Sequence, residues 1–240
     1  MRSKITFLII IVFILSVCGS SPVRIINHES PNLQADISPF TNAGCKSLNG
    51  NDWYLCEEGS PLLELGCTTI ENKPLLGGLT PSHPIAACNL EMYEPIAAGD
   101  YPSDCFYLDG AAIKVCHRLV IYRDGKYEIA KTMDDLRRIF APVDSPDEAL
   151  SFALAAGHYF ASYGQTVQDD LVYSTRILED TRVETGANGY LVQVFSTKFV
   201  GCGPFDTSAV VIKVTKDGKV EEVSRTPVYR DPSLDLTCAD

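Results

Sequence analysis

Cys116 and His117 are neighbours in the sequence, and a thiol beside an imidazole is a pairing that nucleophilic catalysis and metal binding both use. On an extended strand, adjacent side chains point to opposite faces, so these two cannot cooperate directly. The other histidines, His28, His83 and His158, are scattered, and there is neither a Cys-x2-Cys nor a His-x3-His spacing to hold zinc. No metal site is expected, and His158, within a run of apolar residues, reads as a hydrogen-bonded core residue. Gly201-Cys202-Gly203-Pro204 frames another cysteine with two glycines. A reactive thiol there would need a cation or a helix N-terminus beside it, and the surrounding sequence offers no helix start. The bridge it supports is a structural one, to Cys238.

Carboxylates come in pairs at Glu57-Glu58, Asp134-Asp135, Asp169-Asp170 and Glu221-Glu222. Two carboxyl groups can divide acid and base roles across a cleft, but paired acids on a surface are by default solvated charge. Asp169-Asp170 lacks the spaced oxygen ligands of a calcium loop. The chain has no Gly-x-Ser-x-Gly elbow, no phosphate-binding glycine loop and no dinucleotide fingerprint. No catalytic residue and no cofactor is assigned. Trp53-Tyr54 and the stretch from Tyr101 to Tyr107 bring aromatics into a cysteine-rich segment. On a covalently stapled scaffold they would either serve recognition or fill a thin core.

What must position these residues begins with cysteine arithmetic. Of nine cysteines, Cys18 stands apart, and eight follow: Cys45, Cys56, Cys67, Cys88, Cys105, Cys116, Cys202 and Cys238. An even set in an exported chain reads as a disulfide pool. Export is indicated by Arg2 and Lys4, followed by the uncharged run from Ile5 to Val17, too short for a comfortable transmembrane helix. Residues 1–18 therefore read as a signal peptide. Its end, Leu15-Ser16-Val17-Cys18, resembles the lipobox of bacterial lipoproteins, although Val17 stands where that family has Gly, Ala or Ser. The resemblance implies an acylated Cys18, and so attachment to a membrane through lipid. The alternative is ordinary signal cleavage after Gly19 and a secreted product.

The formal charge of the 240-residue chain is −11, and loss of Arg2 and Lys4 makes it −13. The densest basic run, Arg137-Arg138, is flanked by Asp134 and Asp135. An acidic chain without a basic stripe is repelled by phosphate backbones, so nucleic acid is not an expected partner.

Residues 19–44 are rich in Ser, Pro and Asn and read as a tether, with Val23-Arg24-Ile25-Ile26 as a possible edge strand. Residues 45–116 form a cysteine-rich region, dense in Gly and Pro, whose covalent links compensate for modest burial. Within it, a four-residue loop Asp109-Gly110-Ala111-Ala112 would set Leu108 against Ile113 and Cys105 opposite Cys116. Residues 117–240 read as an α+β domain. Arg123-Asp124-Gly125-Lys126 marks a hairpin. Thr132 begins a short helix through Phe140, and Ser145-Pro146-Asp147-Glu148 starts a second, over 146–163, that is apolar all round and so buried. Strands are expected at about 171–184, 190–200, 207–216 and 219–228, joined by turns that include Asn188-Gly189 and Asp217-Gly218. Short connections favour an antiparallel meander wrapped across the helix.

The helix start Ser145-Pro146-Asp147-Glu148-Ala149, with strands ending in Lys216-Asp217-Gly218-Lys219-Val220, is similar to PepSY-type and cystatin-like domains over Ser145 to Val228. That resemblance implies an extracytoplasmic binding or regulatory module. The Gln-x-Val-x-Gly segment of cystatin inhibitor loops is absent, since Gln193-Val194-Phe195 supplies no glycine. The resulting expectation is a disulfide-rich α+β binding protein of the cell envelope, its ligand unspecified, that carries out no reaction. The alternatives are an envelope hydrolase using carboxylates such as Asp169 or Glu221 between the halves, and a peptidase-inhibitor-like module.

Overall fold

Two larger antiparallel sheets enclose one short buried helix; of two further two-stranded pieces, one ties the N-terminal segment to the second sheet and the other carries the Cys202–Cys238 bridge. The computed structural model describes residues 22–48, 50–92, 104–109, 114–197 and 201–239. The signal stretch with Cys18, Tyr101, the loop residues Gly110 to Ala112 and the end of the 190–200 strand expectation lie outside the described residues.

In chain order, β1 (Arg24–Ile26) and α1 (Ser38–Asn42) precede β2 (Cys45–Ser47) and β3 (Trp53–Cys56). Then come α2 (Pro61–Glu64), β4 (Thr69–Glu71), a 3-10 turn over Pro74–Gly78, and β5 (Ile85–Met92). After β6 (Tyr107–Asp109) run β7 (Lys114–Arg123), β8 (Lys126–Ala130), α3 (Met133–Phe140) and α4 (Pro146–Ala155). Then follow β9 (Val172–Tyr173), β10 (Ile177–Glu179), β11 (Arg182–Gly186), β12 (Gly189–Thr197), β13 (Gly201–Cys202), β14 (Asp206–Thr215), β15 (Val220–Arg230), a 3-10 turn over Pro232–Leu234, and β16 (Cys238–Ala239).

The first sheet has the order β2-β3-β4-β5-β7-β6, with β8 also on β7. Its central strands are covered on both faces, and alternate residues feed two cores. Ala86, Cys88 and Val120 pack with Phe40, Leu62 and Ile70. Ile85, Ala87, Leu119 and Ile121 turn the other way, into a core shared with α4 and with Val192, Val194, Val210 and Ile212 of the second sheet. The second sheet has the order β11-β12-β14-β15-β9. The fold is thus mixed helix and sheet, mostly antiparallel, and a division at residues 116/117 falls inside β7. The two sheets share a core because the apolar faces of both are closed by the same helix.

Both helix starts carry full capping boxes: Thr132 with Asp135, and Ser145 with Glu148. Every residue from Glu148 to Ala155 is buried, which is why α4 carries no polar stripe. The helix stops at Ala155, not near 163. Beyond it the chain joins the second sheet, where the backbones of Phe160 and Phe195 exchange two hydrogen bonds of 2.9 Å. His158 is consequently exposed rather than a core residue of the helix.

The expected strand over 171–184 is three strands, β9, β10 and β11, each paired with a different partner. The break before β11 is made by Asp180, buried and hydrogen-bonded to Asn27, His28, Gly164 and Gln165. The 19–44 tether reading is corrected in its described part. Arg24–Ile26 pairs in parallel with Ile177–Glu179, and Phe40 is fully buried. The Asp124-Gly125 hairpin has positive φ at both residues, 51° and 76°, as a two-residue primed turn requires. At the next hairpin Gly186 pairs with Gly189, so the turn residues are Ala187 and Asn188 rather than Asn188-Gly189.

The eight later cysteines pair as Cys45–Cys56, Cys67–Cys88, Cys105–Cys116 and Cys202–Cys238. A fold held by this many bridges belongs to an oxidising, extracytoplasmic compartment. Cys45 faces Cys56 and Cys202 faces Cys238 across neighbouring strands. Cys105 does not face Cys116, however: Leu108 does, with Asp109 opposite Val115. The bridge reaches Cys116 from the chain just before β6, so the expected register of Leu108 against Ile113 is wrong. Among the described residues no helix is long and apolar enough to cross a membrane.

Candidate functional site

Sheet register places polar side chains in one row. Leu55, Thr69, Asn89, His117 and Tyr107 are lateral neighbours on β3, β4, β5, β7 and β6, and directly paired residues share a face. The next row on that face runs Trp53, Glu71, Ala87, Leu119, and its last two members enter the core under α4. The helix covers only part of this face. Towards β3 it is open, and Trp53 and Leu55 are 41% and 47% exposed.

Where the cover ends, a cleft of about 240 Å³ opens. Glu71, Asn72 and Lys73 at the end of β4, with Leu76 of the 3-10 turn, make one wall; Leu154 of α4, Tyr159 and Phe160 make the other. A second cavity of about 10 Å³ shares Lys73, Leu76 and Leu154 with it and continues to Tyr107 and His117. That is close to the space one water molecule needs. Mostly apolar walls with a few polar groups at one end are the usual composition of a small-molecule site.

Lys73 is the cation of the inner wall. Its Nζ lies 3.4 Å from Glu71 Oε2. Burial pulls its pKa down, but Tyr107 and Glu71 beside it outweigh that, and the ammonium titrates above the ordinary lysine range. Tyr107, which also hydrogen-bonds Lys73, lies flat on His117 with ring centroids 4.2 Å apart, and His158 stacks near it at 5.9 Å. On the outer wall, the Tyr159 hydroxyl donates to Glu222 Oε2 at 2.9 Å, and Arg225 holds both oxygens of Glu222. Burial first, and then Glu222, push the Tyr159 pKa up to about 12. The phenol therefore stays protonated and the ring fixed as a wall. Two side-chain amides, one in the cleft wall and one beside His117 in the sheet, carry unmatched polar atoms among the described residues. Asn72 Oδ1 is buried without a partner while its Nδ2 donates to Asp52. Asn89 is 1% exposed with neither amide atom hydrogen-bonded.

The residues singled out by sequence distribute unevenly around this cleft. His117 and Tyr107 line the small cavity that adjoins it, and Trp53 lies on the same sheet face. Tyr54 turns to the opposite core. Cys116 is spent in its disulfide, so the neighbouring pair is a bridge and a stacked ring. Asp169 and Asp170 are exposed in the loop before β9, and Glu221 is exposed on β15, with no convergence on the cleft. Asp134 and Asp135 are taken up by Arg137 and Arg138. No cluster of three or more His, Cys, Asp or Glu able to hold a metal occurs among the described residues. Lys73, Leu154 and Phe160 gave no signal in the sequence: each is an ordinary residue that becomes part of a site only through tertiary packing. No family model matches the chain, and neither a curated protein nor a solved structure shows significant similarity to it.

Proposed function

We propose that this is an exported binding module, anchored to a membrane by lipid on Cys18, that captures a small ligand with an apolar body and a polar head. The observation that carries the reading is the cleft, apolar on most of its wall and holding Lys73, Glu71 and the unmatched Asn72 Oδ1 at one end. Leu76, Leu154 and Phe160 would take the apolar body. The Lys73 ammonium would meet an acceptor on the head, while Glu71 and Asn72 Oδ1 would take donors. The paired charges of Lys73 and Glu71 suit a neutral or zwitterionic head better than a bare anion. All described cysteines are in disulfides, so the reading assigns no thiol chemistry to the site.

The test is a thermal-shift and NMR screen of the purified mature protein against amphipathic small molecules, repeated on Leu154→Trp, which fills the cleft. A ligand that stabilises the wild type and not the variant supports the proposal. Ligands that stabilise both equally place binding elsewhere. Turnover of hydrolase substrates that is lost on changing Asp169 or Glu221 would replace the proposal with the enzymatic alternative.

A further inference from the structure

Covalent geometry limits how far the folded body can stand from Cys18. Arg24 is six residues further along the chain, a span of about 20 Å at full extension. A body of this length has a radius of gyration of about 17 Å, so the leash is shorter than the body is wide. Nor can β1 peel away to lengthen it at little cost. Ile25 packs with Leu178, Phe195 and Val228. The Asp180 amide donates to the Ile26 carbonyl at 2.9 Å, and Asn27 and His28 both donate to the Asp180 carboxylate.

The end of the body where the leash enters has its own chemistry. β1 and β10 are parallel and begin at the same end, with Arg24 opposite Ile177. Their side chains share the outward face, and Ile177 is 53% exposed. Arg176 is exposed beside them, its carbonyl accepting the Arg24 amide at 2.9 Å. Arg24 and Arg176 have no carboxylate partner among the described residues, in a chain where acids outnumber bases by 31 to 20. Guanidinium groups suit lipid phosphates, and an exposed aliphatic side chain at the same end suits the interfacial layer.

We propose that this end of the molecule, Arg24 with Arg176 and Ile177, rests on the bilayer, so that the protein is held in one orientation rather than swinging on a flexible stalk. The inference rests on the lipid-anchored reading and goes beyond it by naming the face that meets the membrane. Ile177 enters the interface, and the two arginines pair with headgroup phosphates. The contact is local: the net negative charge of the whole body opposes any broader adhesion to anionic lipid.

The test uses the full chain, produced with its signal, extracted from membranes and reconstituted in phosphatidylcholine vesicles with brominated acyl chains. Trp53 is the chain's single tryptophan and lies in β3 of the other sheet, which makes the native protein its own control. A W53F/I177W variant moves the reporter to the proposed contact. Emission from I177W should be quenched at interfacial depth, while emission from native Trp53 should stay unchanged. Intact mass of the same sample reports the acyl chains on Cys18. An acylated protein with unquenched I177W overturns the proposal alone, whereas absence of acyl mass overturns the anchor reading and the proposal with it. Insertion of about twenty Gly-Ser residues between Ser20 and Ser21 lengthens the leash and should abolish quenching. Quenching that survives the insertion also overturns the proposal, since the short reach would then not be what sets the orientation.

Discussion

Asn27 and Asp180, 153 residues apart in the chain, are joined by a hydrogen bond of 3.2 Å from the Asn27 amide to the buried carboxylate. The same carboxylate accepts the backbone amides of His28 and Gly164 and the Gln165 side chain. One aspartate thereby fastens the N-terminal segment and the loop after α4 to the corner between β10 and β11. Burial alone would raise its pKa. The donors, Gln165 first, outweigh burial and hold it below the ordinary aspartate value. A carboxyl depressed on folding adds stability above its unfolded pKa, and that stability is lost as pH falls through the folded value. Unfolding midpoints should therefore drop as pH is lowered below about 4. Asp180→Asn should be less stable at neutral pH by roughly 2–3 kcal/mol, because one carbonyl cannot serve all these donors. It should also show a shallower acid slope. Urea titrations of both proteins across that range check both expectations.

Gly78 ends the 3-10 turn against α4, and a Cβ placed on it would lie 2.6 Å from both the Asp147 carbonyl and Ser151 Oγ. Ser151 Oγ in turn donates to the Leu75 carbonyl, locking turn to helix. Gly78→Ala must push the two apart, at a cost of about 1–3 kcal/mol. Since Leu76 and Leu154 line the cleft from these two elements, the variant should also weaken ligand capture. Denaturation and ligand titration of the one variant read both effects.

The features legible in the sequence are those decided within a few residues. Thr132 with Asp135, Ser145 with Glu148, and Asp124-Gly125 each specify a cap or turn through contacts no more than three residues apart. The end of α4 was not legible in this way. Ala-, Tyr- and Phe-rich sequence continues past Ala155, but Phe160 gains two sheet hydrogen bonds with Phe195, thirty-five residues on. For Cys105 and Cys116, counting outward from a presumed loop gave a register three residues off, although the two sulfurs are bonded. A disulfide constrains two points, whereas a ladder constrains every pair along it. The cleft is invisible for the same reason that the sequence leaves β1 open between tether and edge strand. Lys73 meets Leu154 and Arg24 meets Ile177 only through tertiary packing, which local periodicity does not encode.

The two bridges that span directly facing strand residues enclose loops of different length, 11 residues for Cys45–Cys56 and 36 for Cys202–Cys238. On the chain-entropy account, removing them costs about 3 and nearly 4 kcal/mol respectively. Burial argues for the opposite order. Cys45 and Cys56 sit inside the second core with Phe40 and Leu62, whereas Cys238 is exposed near the C-terminus on a two-residue strand. Two buried sulfurs replaced by serine leave hydroxyl groups in an apolar layer, which adds a desolvation cost of about 1–3 kcal/mol. The double variant Cys45→Ser/Cys56→Ser should therefore be the less stable of the two by urea denaturation, despite its shorter loop. The reverse order would mean that loop entropy, rather than the packed core, sets the contribution of these bridges.

Asn89 presents the sharpest local conflict between polarity and environment. It lies at the centre of the first sheet, flanked by Thr69 and His117, and its amide atoms are buried without partners among the described residues. A primary amide left unmatched in an interior is costly, and an apolar residue of similar size removes that cost. If the side chain has no further role, Asn89→Val should raise the unfolding free energy by about 1–2 kcal/mol, helped by the preference of β-branched residues for strands. If the amide instead holds an ordered water leading towards the cleft, the same substitution should lower stability or leave it unchanged, and should alter the ligand affinity of the cleft. Paired urea and ligand titrations separate the two outcomes, because a purely structural amide changes the first measurement and leaves the second alone.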